Sequence, residues 1–300
     1  MTEYVATYDV PEVAFLQHRR VRLAGMTFRI AQISDTHLSG DKPFFVDNFV
    51  RIGEALRDDR PDLVLNSGDI ALDGASNESD LAAARALHDG LDLPVRFLPG
   101  NHDIGDCQDA PSHAEGTIDV ERRTRYVAHF GNDWWTLDVP GWRLLGINAQ
   151  LLGSDLAVAH AQDAEIAEAA GSLGDRRLAL FLHKPLFDRD AGEIEITGRF
   201  VNPVPRHALL ASLEGVVPTL VACGHVHQYR STEVGGTRHV WGTSTAFVLP
   251  DRLQPRYGTK EVGYVEHRLE PDGTHDSRLV QVAGVPTLNI ADFPGAYGPL

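Results

Sequence analysis

Residues 27–38 read TFRIAQISDTHL, and the parsing of this stretch decides the architecture. Its first eight residues have the length and side chains of a strand, and the apolar run then gives way to Asp35 and His37, two metal-competent side chains two residues apart. A strand that delivers polar groups at its carboxyl end belongs to an open α/β sheet, where the loops after the strands converge on one crevice. The pattern then recurs. A helix is expected over about 45–57, with Phe45, Phe49, Ile52 and Leu56 on one face. A strand at 62–67 (DLVLNS) and a Gly-Asp turn follow, then a helix near 79–90 with Leu81, Ala84, Leu87 and Leu91 inward. Strand followed by helix, twice, predicts an α/β fold.

Apolar runs at 95–98, 143–147, 178–182 and 219–223 have the length of buried strands, and an Ala/Glu-rich helix is expected near 161–170. Pro205 begins a further helix, with Leu209, Leu210 and Leu213 inside and Gly215 ending it. From His239 the helices stop: HVWGT, GYVEHRL and SRLVQV read as short strands, the last two joined by Pro271, Asp272 and Gly273. With no Pro- or Ser-rich linker before them, these strands are expected to complete a second sheet, not a separate domain. The expected organisation is an N-terminal segment over 1–26, one domain over 27–282 with an insert at 104–130 as a candidate cap, and a tail over 283–300. The tail carries exposed-looking Phe293 and Tyr297, which suit either a homodimer contact or a loose end.

With 43% hydrophobic and 23% charged residues, the 300-residue chain has a globular composition, and a chain of this length buries roughly three quarters of its unfolded surface. A net charge of −15 argues against binding a nucleic-acid duplex. Cys107 and Cys223 form neither a CxxC motif nor a bridge framework, which points to a reducing compartment. Glu3, Asp9 and Glu12 stand where a secretory leader would be basic, and no apolar run is long enough for a membrane span. A cytoplasmic protein is expected.

The strand ends supply Asp35 and His37 (SDTH), Asp69 (SGD), Asn101, His102 and Asp103 (GNHD), His183 (LHKP), and His225 and His227 (GHVH). A spacing of two in an extended turn aims both side chains at one point. Two carboxylates, one amide oxygen and four imidazoles, without thiolate, suit Mn, Fe or Zn. Seven donors exceed the needs of one ion, and they divide between two if a carboxylate bridges cations about 3.5–4 Å apart. The glycines beside Asp69, Asn101 and His225 allow sharp turns and close approach.

In this order, SDTH, GD, GNHD, a lone His near a Pro, and GHxH resemble the calcineurin-like metallophosphoesterase superfamily, and SDTHL with GNHD resembles its bacterial class III cyclic nucleotide phosphodiesterase group. The resemblance implies a four-layer α/β/β/α sandwich with two mixed β-sheets. It implies one metal held by Asp35, His37, Asp69 and His227 and another by Asp69, Asn101, His183 and His225, with Asp69 bridging. Asn101 and His102 would also meet the substrate, and His102 would be the general acid. Two such ions lower the pKa of a shared water from 15.7 towards about 7, so a bridging hydroxide would attack phosphorus.

The expected activity is hydrolysis of a small organic phosphodiester, a cyclic nucleotide or a glycerophosphodiester. The alternatives are a phosphomonoesterase, a nucleotide-sugar or lipid diphosphate hydrolase, and a noncatalytic binding scaffold. Protein phosphatases of the superfamily carry GDxxDRG and GNHE, whereas this chain has GDIALDG and GNHD, with Leu72 where the second Asp would be and no Arg after it. That departure leaves open which carboxylate, Asp73 or another, orients His102. Lys184 replaces a second His often found there, raising local positive charge. Asp103 reads equally as a carboxylate behind the ligands or as a turn former. Arg122, Arg123 and Arg125 read as a solvated helix face, and Cys223 as core. Cys107 reads as incidental, and His18, His88, His113, His129, His160, His207, His239, His267 and His275 as surface or packing residues.

Overall fold

Phe28 and Ile30 lie in one layer of the core while Ala31 and Ile33 lie in another, the two-residue period of a strand buried on both faces. The computed structural model describes residues 25–107 and 116–298. The first half contains β1 (Phe28–Ile33), α1 (Val46–Asp59), β2 (Leu63–Asn66), α2 (Glu78–Asp89), β3 (Val95–Phe97), the single turn α3 (Asn101–Ile104) and α4 (Val120–Phe130). Then come β4 (Trp135–Val139), β5 (Trp142–Gly146), α5 (Ala157–Gly171), β6 (Arg177–Phe181), α6 (Pro203–Ser212) and β7 (Leu220–Cys223). The chain closes with β8 (Arg230–Val234), β9 (Thr237–Trp241), β10 (Phe247–Val248), β11 (Tyr264–Leu269), β12 (His275–Val280), β13 (Leu288–Asn289) and α7 (Pro294–Tyr297).

Two mixed sheets, ordered β12-β11-β1-β2-β3 and β4-β5-β6-β7-β9-β8, face each other, and a small pair joins β10 to β13. Between the sheets Phe28, Ile30 and Leu65 meet Trp142, Phe181 and Ala222 in one buried cluster. The opposite faces are covered by helices. Phe49 and Ile52 of α1, Leu81 of α2 and Tyr126 of α4 pack with Ala31 and Val64, while Ile166 of α5 and Leu209 of α6 pack with Leu180 and Val221. The result is the expected four-layer α/β/β/α sandwich. Helix α6 starts at Pro203, two residues before the expected Pro205, because both prolines fit a first turn whose N–H groups lack intrahelical acceptors. Within it Leu209 is buried and Leu210 only half-buried.

The terminal strands divide between the sheets instead of all completing the second one. Strand β9 pairs with β7 in the second sheet, but β11 pairs antiparallel with β1, and β12 extends that edge of the first. Side chains account for the choice: Val265 and Leu269 enter the inter-sheet cluster beside Phe28, and Glu266 lies between Arg29 and Arg278, 2.7 Å from each. Below the strand ends Gln32 ties the sheets together, donating to Ser67 Oγ (2.8 Å) and to the Cys223 carbonyl (3.0 Å). His18 and His113 lie outside the described residues, as does most of the 1–26 segment.

His88 donates from Nδ1 to the Ala84 carbonyl (2.8 Å), and its Nε2 accepts from Asn66 (3.0 Å). Burial pushes it down to about 4, and burial with His275 nearby pushes His267 down to about 3. A folded-state value below the unfolded one gives stability that is complete above about pH 6.5 and is lost as pH falls towards the folded value. The stability difference between the wild type and His88→Gln, read from urea unfolding, is expected to shrink by about 3 kcal/mol between pH 7 and 4. A difference independent of pH would contradict the neutral buried ring.

Candidate metal centre

Each motif follows a strand: Asp35 and His37 after β1, Asp69 after β2, Asn101 and His102 in α3 after β3, His183 after β6, and His225 and His227 after β7. Both sheets point these ends at one place. Asp35, His37, Asp69, His225 and His227 all have positive φ, between 43° and 70°. The spacing-two pairs are therefore not extended turns, as the sequence suggested; each member is left-handed, which brings its side chain in from a tight loop. Main-chain bonds hold this geometry, Asp35 N donating to Gly68 O (2.8 Å) and His37 N to Asp69 O (3.0 Å). Gly100 and Gly224 are required by close approach: a Cβ at the first would overlap Asp69 Oδ1 and at the second Ser34 Oγ.

Donor atoms of Asp35, His37 and His227 lie within 4.8 Å of one another, as do those of Asp69, His183 and His225. A third such group, His37, Asp69 and His102, joins the two. Asp69 thus stands at the junction. Asp35 accepts the main-chain N–H of His225 on both carboxylate oxygens (3.1 and 3.0 Å) and lies 3.3 Å from His227 Nε2.

Every imidazole is held by one nitrogen and presents the other. His183 donates from Nδ1 to Ser67 O (2.9 Å), His227 from Nδ1 to Phe247 O (2.7 Å), and His225 from Nε2 to Gly198 O (2.9 Å). Their other nitrogens face the cluster, His183 Nε2 lying 3.2 Å from His225 Nδ1 and 3.3 Å from Asp69 Oδ2. This is how proteins fix the tautomer of a metal-ligating histidine. Asn101 Oδ1 is buried without a hydrogen-bond partner, as expected of an oxygen whose partner is an ion or water. These residues fit a divalent cation site with nitrogen and oxygen donors.

The charges are strongly interdependent. Burial opposes ionisation of Asp69, but His183, His102 and His37 outweigh it and hold the carboxyl well below its usual range. Burial lowers His183, yet Asp69 prevails and raises it to about 9. His225 is driven well below its usual value by burial, then by Lys184 and His183.

His102 is held from the main chain: its Nδ1 donates to the Leu72 carbonyl (3.1 Å). Its own N–H donates to Asp69 Oδ1 (2.9 Å). Asp103, omitted from the expected site, stitches two motif loops by accepting from Ile70 N (3.1 Å), Ala71 N (2.8 Å) and Gly100 N (2.8 Å). Lys184 is buried in an ion pair with Asp106 (2.6 Å). Arg123 pairs with buried Asp133 (2.6 Å), and Arg125 bonds the Ala75 carbonyl (2.7 Å) and Glu121 (3.0 Å). These arginines anchor α4 in place; of the candidate cap, residues 108–115 lie outside the described residues. Tyr297, expected in a loose or dimeric tail, instead packs inside the site with its hydroxyl 2.6 Å from His37 Nδ1.

A buried cluster of nitrogen and oxygen donors at the carboxyl ends of two facing sheets is a setting that suits divalent metal ions. A family model described as calcineurin-like phosphoesterase matches residues 28–229, and the chain belongs to that family. A glycerophosphodiester phosphodiesterase of Enterobacter lignolyticus is 30% identical over 230 residues, covering 68% of this chain and 72% of the relative. A probable glycerophosphodiester phosphodiesterase of Arcobacter nitrofigilis is 25% identical over 213 residues, covering 68% and 73%. The purple acid phosphatase of yellow lupin shares the fold, with a TM-score of 0.61 at 18% identity over 85% of this chain and 52% of that one. No helix of the described residues is long and apolar enough to cross a membrane.

Replacing Asp103 by Ala leaves three buried N–H groups without their acceptor, each costing about 1–3 kcal/mol. The expected result is a loss of at least about 3 kcal/mol in urea unfolding. A loss under about 1 kcal/mol would show that the loops hold without it.

Proposed function

We propose that the protein is a dinuclear metal-dependent phosphodiesterase acting on a small organic phosphodiester, a glycerophosphodiester in preference to a cyclic nucleotide. The observation that carries the reading is Asp69 standing in the group with His183 and His225 and also, with His37, in the group that links it to Asp35 and His227, together with the unpartnered buried oxygen of Asn101. On this reading Asp35, His37, Asp69 and His227 hold one ion and Asp69, Asn101, His183 and His225 the other. Divalent cations there would supply charge neutralisation of the phosphoryl oxygens and acidification of water. The chain's own groups position and move protons. The main-chain carbonyls of Ser67, Phe247 and Gly198 keep three imidazoles in the tautomer that offers a lone pair inward. His102, with Nδ1 fixed by Leu72, presents Nε2 as the group that protonates the departing alkoxide. The preference for glycerophosphodiesters rests on the names of the two relatives, which suggest the alcohol side.

The test loads the protein with Mn²⁺ and compares glycerophosphodiesters, cyclic nucleotides and phosphomonoesters. Turnover of the diesters with loss on chelation is expected, and preferential turnover of monoesters would replace the reading by that of a phosphomonoesterase. Binding of neither ion, with no ester hydrolysis, would indicate a scaffold. His102→Ala is expected to lower kcat on the order of 10²–10⁴-fold while retaining both ions. Loss of the ions in that variant would make His102 a ligand.

A further inference from the structure

We infer that Tyr297, delivered by a C-terminal strap, is a positioning residue that sets the tautomer of His37; the consequence for metal binding rests on the proposed reading of His37 as a ligand. The strap returns to the site through β13, which pairs in parallel with β10, Leu288 opposite Phe247 and Asn289 opposite Val248. Phe293 then packs against Phe44 and Phe45, with ring centroids 5.9 and 5.5 Å apart. Ala296 is buried in the same cluster, and Lys42 Nζ donates to its carbonyl (3.1 Å). These contacts place the ring of Tyr297 5.1 Å from that of His102 and its hydroxyl 2.6 Å from His37 Nδ1.

His37 Nε2 lies 3.3 Å from His227 Nε2, on the side facing the donor group. A neutral imidazole has one donor nitrogen and one acceptor, so a lone pair at Nε2 requires the proton at Nδ1. At His183, His225 and His227 the outward nitrogen meets a carbonyl, which can only accept, so that nitrogen carries a proton. At His37 the partner is a hydroxyl, which can accept or donate. A cation at Nε2 requires the proton on Nδ1, and the Tyr297 hydroxyl is there to accept it; without the hydroxyl, that proton loses its acceptor and the cation-binding form its support. Removing such an outer partner of a ligating histidine weakens metal binding by 10–100-fold.

Tyr297→Phe removes the hydroxyl and keeps the ring. Two measurements decide the matter. In protein labelled with ¹⁵N-histidine and stripped of metal, the wild type is expected to show His37 with its proton on Nδ1, and Tyr297→Phe a population shifted towards Nε2–H. In Mn²⁺ titrations followed by EPR, the variant is expected to bind one ion about 10–100-fold more weakly than the wild type. An unchanged His37 spectrum together with unchanged Mn²⁺ affinity would overturn the inference. If the wild type binds no Mn²⁺, the metal reading falls, while the His37 spectrum still decides whether Tyr297 sets the ring.

Discussion

The carboxylate of Asp35, at the end of β1, receives the main-chain N–H of His225, at the end of β7, and with that contact the two sheets close on each other at the site. Asp35 is fully buried, and a buried carboxylate is tolerated only when polar partners replace its water. Here the partners come from residues 190 positions away. The contact demands that Gly224 have no side chain and that Asp35 and His225 both adopt left-handed backbone conformations, which cost on the order of 1 kcal/mol each for residues with a Cβ. The closely packed inter-sheet layer, with Phe28, Trp142 and Phe181 fully enclosed, offsets that local cost. The fold and the strained loops therefore imply each other: relaxed loops would withdraw the donors, and a looser sandwich could not hold the loops.

Charge bookkeeping leads to the same place. The chain carries −15 overall, and Lys184, next to His183 in sequence, is already engaged with Asp106, as Arg123 of α4 is with Asp133. A phosphoester anion approaching the centre would meet the carboxylates of Asp35 and Asp69. In the proposed reading, positive charge arrives with the cations, and neutral imidazoles are the form in which His37 and His225 are held by burial.

Layering and motif residues were legible in the sequence because both are patterns of side chains. The residues of TFRIAQIS read as a strand, and the polar residues closing apolar runs gave the donors that the structure gathers. What could not be read depends on main-chain atoms or on distant pairings. The carbonyls of Leu72, Ser67, Gly198 and Phe247 orient histidines, and a carbonyl belongs to every residue alike. Asp103 was ambiguous because its role depends on three N–H groups in two loops brought together only by folding. The destination of GYVEHRL was misjudged because strand length and polarity say nothing about which sheet has a free edge. The pairing of Glu266 with Arg29, 237 residues away, decides it.

The C-terminal strap extends this dependence on remote contacts. Tyr297 and His37 are 260 residues apart, yet the strap that joins them is built of a two-residue strand, one 3₁₀ turn and one helical turn. Such short elements gain little from their own hydrogen bonds, and their stability comes from the aromatic contacts of Phe293 and the burial of Ala296. Local opening is cheapest where few buried contacts must be broken, and the strap's own hydrogen bonds add little to those contacts. Its release would uncover His37 and His102 together, since the one ring of Tyr297 packs against both. The loops that carry Asp35 and His37 are tied by main-chain hydrogen bonds to the loop after β2, whereas Tyr297 is borne on a strap of three short elements.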